Sequence, residues 1–135
     1  MIQYAVENKL AVSEFKQVLI NSTLGERRPI DQEDVLAAML KHGNLIVTAR
    51  IAGTLVGVAR SLTDFSYCTY LSDLAVDKAY QKQGIGKALI RRTKQESPSA
   101  KLILLAAPDA IPYYPKIGMS QYEFCYFLKD LNNLN

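Results

Sequence analysis

Apolar and polar positions along the chain change period several times, and each change marks an element. Residues 2–6 (IQYAV) are a short apolar run that fits a first strand. From Val12 to Ile20, Val12, Phe15, Val18 and Leu19 recur at helical spacing. Residues 21–29 (NSTLGERRP) read as a loop, with Gly25 and Pro29 as breakers. Asp31 then fits a helix N-cap, and Ile30 and Val35 on either side of it fit a hydrophobic staple. Val35, Leu36, Met39 and Leu40 give this second helix its apolar face, and Gly43 is placed to stop it.

The pattern then shifts to strands. Residues 45–52 (LIVTARIA) and 54–62 (TLVGVARSL) form a hairpin around Ala52-Gly53, and 69–76 (TYLSDLAV) is a further strand. Residues 85–95 are helical, with Ile85, Ala88 and Leu89 on one face. Residues 101–107 (KLILLAA) form an apolar run typical of a strand covered on both faces. Three of the five prolines fall between Pro108 and Pro115, so any helix there is short. Residues 121–128 (QYEFCYFL) alternate as a final strand. The order is β-α-α-β-β-β-α-β-α-β, an α/β (α+β) arrangement with a mixed sheet and helices packed on both faces.

Composition narrows the class. With 135 residues the chain is read as a single domain, residues 1–135. Apolar residues make up 49% and charged residues 21%, too apolar and too evenly charged for a disordered chain. A net charge of +3 is too mild to imply nucleic acid. No apolar run approaches the roughly 18–20 residues that span a bilayer, so no membrane partner is expected. MIQYAVENK has no secretory pattern. Two cysteines, Cys68 and Cys125, make no disulfide framework, and one histidine, His42, builds no histidine metal site. The expectation is a reduced, cytoplasmic protein without a metal. Both cysteines are expected to be buried and inert, and His42 to be solvated at a helix end.

The informative stretch is LSDLAVDKAYQKQGIGKAL, residues 71–89. A strand runs into a polar turn, two glycines and an amphipathic helix. Glycines there let a ligand approach the backbone, and the first N–H groups of the helix have no internal partner. They sit at the positive end of the helix dipole, so the site suits a phosphate or pyrophosphate. Lys82 and Lys87 add charge. The Walker loop is excluded, because Gln81 and Ala88 stand where glycine and Ser or Thr are required. The dinucleotide fingerprint fails at Leu89.

Gln81-Lys82-Gln83-Gly84-Ile85-Gly86 resembles the pyrophosphate motif of the GCN5-related N-acetyltransferase family: Gln or Arg, two residues, Gly, one residue, Gly or Ala. Ala110 to Met119 (AIPYYPKIGM) is similar to the family's downstream motif of Ala, an aromatic, Tyr, Lys and Gly-Phe, with Met119 in place of Phe. The element order matches as well, so the resemblance covers essentially the whole chain.

That resemblance implies acetyl-coenzyme A as cosubstrate and direct acetyl transfer to a primary amine of a small molecule or peptide. It implies that backbone groups of Leu74, Ala75 and Val76 pair with the pantetheine arm. The pyrophosphate is then expected on the turn formed by Gln81, Lys82, Gln83, Gly84, Ile85, Gly86 and Lys87. Tyr114 aligns with the tyrosine that many members use as an acid toward the departing thiolate. A thiol has a pKa of about 8.5 and tyrosine about 10, so full proton transfer is uphill by about 2 kcal/mol. A hydrogen bond to the thiolate competes with full transfer. Asp73 stands where members often carry a general base, with a structural role as the competing reading; Glu123 is the weaker alternative. Arg27-Arg28 is read as an attractor for an acidic acceptor or as solvated surface. The oligomeric state is open between monomer and homodimer. The competing functional reading is a non-catalytic coenzyme A-binding or sensor domain of the same fold.

Overall fold

The computed structural model describes residues Met1 to Asn135. Five of the six expected strands form one sheet in the order β1-β2-β3-β4-β5. They are β1 (Ile2–Val6), β2 (Leu45–Ile51), β3 (Thr54–Thr63), β4 (Cys68–Val76) and β5 (Lys101–Leu104). The first three pairings are antiparallel and β4–β5 is parallel. The mixed sheet follows from the connections. A two-residue turn joins β2 to β3, whereas β4 reaches β5 through a helical crossover. Ala52 and Gly53 both have positive φ, 49° and 84°, the backbone sense a tight hairpin turn requires.

Helices α1 (Val12–Ser22) and α2 (Glu33–His42) cover one face. Phe15, Val18, Leu19, Leu36 and Leu40 pack there on Ile46, Val58 and Ala75. Helix α3 (Ile85–Glu96) covers the other, where Ile85 and Leu89 join Val47, Val56, Ala59 and Leu71. Each fully buried Leu, Ile or Phe contributes about 1.5–3 kcal/mol relative to exposure. Gly57 of β3 lies directly under α3 and leaves room for its side chains. A Cβ there would lie 3.1 Å from Leu89 and 3.2 Å from Ile85. No helix is long and apolar enough to cross a membrane.

The chain divides into two compact units, Met1–Leu105 and Ala106–Asn135. The second contains a single helical turn at Pro108–Ala110, the short helix α4 (Tyr113–Lys116) and a further turn at Leu131–Asn133. The prolines keep these pieces short, as their spacing implies.

Several expectations are corrected. Residues 121–128 form no strand, and every one of them is exposed. Alternation specifies a strand only when a ladder partner and a buried face reward it, and this segment has neither. The strand read at 101–107 is only four residues long and lies at the sheet edge with Lys101 and Ile103 exposed, so it is not covered on both faces. The N-cap of α2 is Gln32 and makes no side-chain cap bond; Asp31 lies one residue too early. Ile30 still packs against the first core. Cys68 and Cys125 are both exposed.

Candidate active site

Strand β4 is paired on both sides for only part of its length. Its register with β5 runs from Cys68↔Lys101 to Leu71↔Leu104 and stops. On the other side, Leu74, Ala75 and Val76 pair with Ala59, Val58 and Gly57 of β3. From Ser72 onward, the edge of β4 that faces away from β3 has no strand partner. Backbone groups on such an edge are available to an extended ligand. The three residues expected to meet a pantetheine arm lie on this open stretch.

The strand then leads into the glycine turn. Asp77 accepts a hydrogen bond from the Ala79 N–H at 2.9 Å, capping a short helical turn at Lys78–Tyr80. Gln81 Nε2 donates to the Val76 carbonyl at 2.9 Å, so this motif residue clips the turn back onto the end of β4. Lys82 and Gly84 both have positive φ, 64° and 83°. Gly84 is the N-cap of α3 and carries no side-chain cap. A Cβ built on it would meet no atom within 4 Å. The glycine therefore leaves open space next to the first N–H groups of a twelve-residue helix. That geometry suits a phosphate or pyrophosphate group. Residues 81–84 and Lys87 are exposed, and Ile85 is buried and anchors the helix start in the second core.

Asp73 lies one residue into the open stretch of β4, but its side chain is fully buried at 0% exposure. One oxygen accepts from Arg28 Nε and the other from Arg60 Nε. Arg28 Nη2 also donates to the Ser72 carbonyl at 2.9 Å, and Arg60 Nη2 to Ser72 Oγ at 3.0 Å. Arg60 Nη1 reaches the Met39 carbonyl at 3.0 Å. Arg28 is thus neither an exposed attractor nor solvated surface; Arg27 is the exposed member of the pair. These two partners of Asp73 were missed in the sequence, since Arg28 lies 45 residues away and no short motif links them.

In the second unit, Tyr114 is partly buried, with its ring edge-on to Tyr113 at 5.2 Å between centroids. Burial, and secondarily Tyr113, push its phenol above the ordinary value of 10. The Tyr114 carbonyl accepts from the N–H groups of Ile117 and Met119, which closes the short helix. Glu123 is exposed. His42 ends α2 exposed, as expected, and lines a groove of about 460 Å³ with Leu62, Tyr70 and Ile103.

Comparison with known proteins agrees with the geometry. Residues 11–123 match the family described as the acetyltransferase (GNAT) domain. A histone acetyltransferase of Glycine max is 29% identical over 116 residues, covering 76% of this chain and 49% of that protein. The chain spans about half the length of the curated relatives it matches. Among solved structures, a probable acetyltransferase from Staphylococcus aureus has a TM-score of 0.78 at 20% identity, covering 96% of this chain and all of that one. An aminoglycoside N-acetyltransferase in complex with CoA has a TM-score of 0.74 at 14% identity, covering 97% of this chain and 95% of that chain. At such identities the structural matches speak for the fold. The open edge of β4, the glycine turn and the family match lead to one assignment: the chain belongs to the GNAT acetyltransferase family.

Proposed function

We propose that the chain is an acetyl-coenzyme A-dependent N-acetyltransferase acting as one domain, and that the acetyl group passes directly to a primary amine. The observation that carries this reading is the continuity of the unpaired β4 edge with the glycine turn at the start of α3. The family match runs from residue 11 to residue 123 and so takes in parts of both compact units, which supports the single-domain reading.

In this reading Leu74, Ala75 and Val76 offer main-chain groups to the pantetheine arm. The N–H groups of Gln83, Gly84, Gly86 and Lys87 hold the pyrophosphate, Gln81 and Lys82 shape the turn, and Ile85 anchors it. The acceptor amine attacks the thioester carbonyl as a neutral nucleophile, negative charge develops on the oxygen, and the C–S bond breaks. Tyr114 donates a hydrogen bond to the departing sulfur. Its raised pKa keeps the phenol protonated at neutral pH but makes full transfer to a thiolate still less favourable. Hydrogen-bond donation is therefore its main contribution.

Asp73 takes a holding role in this mechanism. Both of its oxygens are occupied by guanidinium groups, so the amine gives its proton to water. Relatives in this fold are named for a histone and for an aminoglycoside, so their names leave the acceptor open between peptide and small molecule.

Thiol release from acetyl-coenzyme A, measured across amines, polyamines, amino acids and peptides, tests the proposal. The expected result is saturable release with at least one acceptor. Tyr114→Phe should lower kcat by about 10–100-fold with coenzyme A affinity unchanged, less than the roughly 100- to 10,000-fold of full general acid catalysis because Tyr114 donates a hydrogen bond rather than a proton. Unaltered kcat in Tyr114→Phe would remove Tyr114 from the mechanism. A wild-type protein that binds coenzyme A yet releases no thiol with any acceptor would favour a sensor instead.

A further inference from the structure

Ser72 is the one residue of β4 that falls outside both neighbouring registers. On the β3 side, Asp73 faces Arg60 and Leu71 faces Ser61, which leaves Ser72 without a partner in a bulge. On the β5 side, pairing ends at Leu71↔Leu104. The strand bends and opens at the same point. In place of ladder partners, two guanidinium groups hold Ser72: Arg28 takes its carbonyl at 2.9 Å and Arg60 its hydroxyl at 3.0 Å.

Both arginines are themselves aligned by Asp73, whose side chain is 0% exposed, against 8% for Arg60 and 23% for Arg28. Their origins differ. Arg28 enters from the connection between α1 and α2, and Arg60 from β3 with a further bond to the Met39 carbonyl in the last turns of α2. Gly43 makes room for Arg60, because a Cβ there would sit 3.0 Å from Arg60 Cγ. The cluster ties the bend of β4 to α2 and to the connection between α1 and α2. It also sets two cations against one carboxylate in a largely dry place, and the excess positive charge favours any negative charge that develops at the bend.

We propose that Arg28 is a positioning residue for acetyl transfer, fixing together with Arg60 and Asp73 the Ser72 bend at which the open edge of β4 begins. The proposal rests on the acetyl-coenzyme A reading above, and it places the thioester, the inner end of a pantetheine arm running along Leu74–Val76, next to this bend. Arg28 acts through the strand and touches no reacting atom. A lysine cannot replace it, since one ammonium does not span the Asp73 carboxylate and the Ser72 carbonyl as a planar fork does.

The test uses the full chain with Arg28→Met and Arg28→Lys. Amide hydrogen exchange, coenzyme A titration by calorimetry and thiol release from acetyl-coenzyme A are measured on each. In both variants, residues 71–74 should exchange about tenfold faster or more while residues 81–87 are unchanged. Thiol-release kcat should fall about 10–100-fold with the Kd for coenzyme A within about twofold, because positioning is lost and binding is not. Unchanged exchange at 71–74, full rescue by Arg28→Lys, or a Kd that rises in step with the loss of kcat would overturn the proposal. Wild-type protein that fails to bind coenzyme A overturns the cofactor reading and with it the catalytic half of this inference. Bound coenzyme A with unchanged exchange in Arg28→Met overturns this inference alone.

Discussion

Asp64 shows how much one side chain can organise. Its carboxylate accepts from the N–H groups of Ser66, Tyr67 and Cys68 at 2.9, 2.8 and 3.1 Å, closing the turn that delivers β4. These bonds, that of Tyr67 foremost, hold its pKa down at about 2 from 3.8. The folded value lies below the unfolded one, so the stabilisation is fully present above about pH 4 and is lost as the pH falls toward 2. Asp64→Ala should therefore be less stable than wild type at pH 7, and the gap should close between pH 4 and 2. Denaturant midpoints across that range measure it; a gap that stays constant with pH would show that the carboxylate's charge plays no part. Cys68 in the same turn, expected to be buried because it sits in an apparent strand, is exposed. Membership of a strand does not report which way its first residue faces.

The placement of α3 decides where its N-terminal groups point, and Gly57 sets how closely that helix can approach. Gly57→Ala would put a methyl 3.1 Å from Leu89 and 3.2 Å from Ile85. Ile85 follows the N-cap directly, so a displacement there moves the glycine turn. Overpacking of this kind costs about 1–3 kcal/mol. Gly57→Ala should lower the unfolding midpoint and weaken coenzyme A binding together, while a variant that keeps full affinity would show that the turn is set independently of this contact.

The elements also show which parts of the fold were legible in the sequence. Periodic apolar faces and paired turn residues placed α1, α3 and the β2–β3 hairpin closely, since their determinants lie within a few residues of one another. The sequence puts the start of α2 one residue early because Asp31 is the better capping side chain, yet the backbone turns at Gln32. Coverage of β5 and pairing of 121–128 depend on what lies alongside, and an apolar run carries no record of that. The glycine turn was legible from Gln81–Gly86 because its chemistry is main-chain and local. The Arg28–Asp73–Arg60 cluster was not, because it joins three distant segments.

At the scale of the whole molecule, the sheet does two things with one strand. The first half of β4 is locked between β3 and β5, and its second half pairs with β3 alone. A second network steadies the far edge of the sheet. Arg50 of β2 bonds Glu7 at 2.9 Å through both Nε and Nη2, and Glu14 of α1 at 2.6 and 3.1 Å. These bonds hold both carboxylates below their ordinary pKa values, with the Arg50 hydrogen bond the largest cause in each case. The β1–β2 side of the sheet is braced by this network, and the open edge of β4 is the side that the proposed function assigns to a ligand.

Calorimetric titration of coenzyme A into wild type and Gly84→Val tests that division most directly. Gly84 has a φ of 83°, and a Cβ there touches no protein atom. The substitution therefore adds backbone strain of about 1–2 kcal/mol, and its Cβ meets no protein atom within 4 Å. Its side chain would stand in the space assigned to the pyrophosphate. Saturable binding to wild type, lost in a Gly84→Val protein that still unfolds cooperatively, is the predicted result. No binding to wild type, or equal affinity in the two proteins, would contradict the assignment of the β4 edge and the glycine turn to coenzyme A.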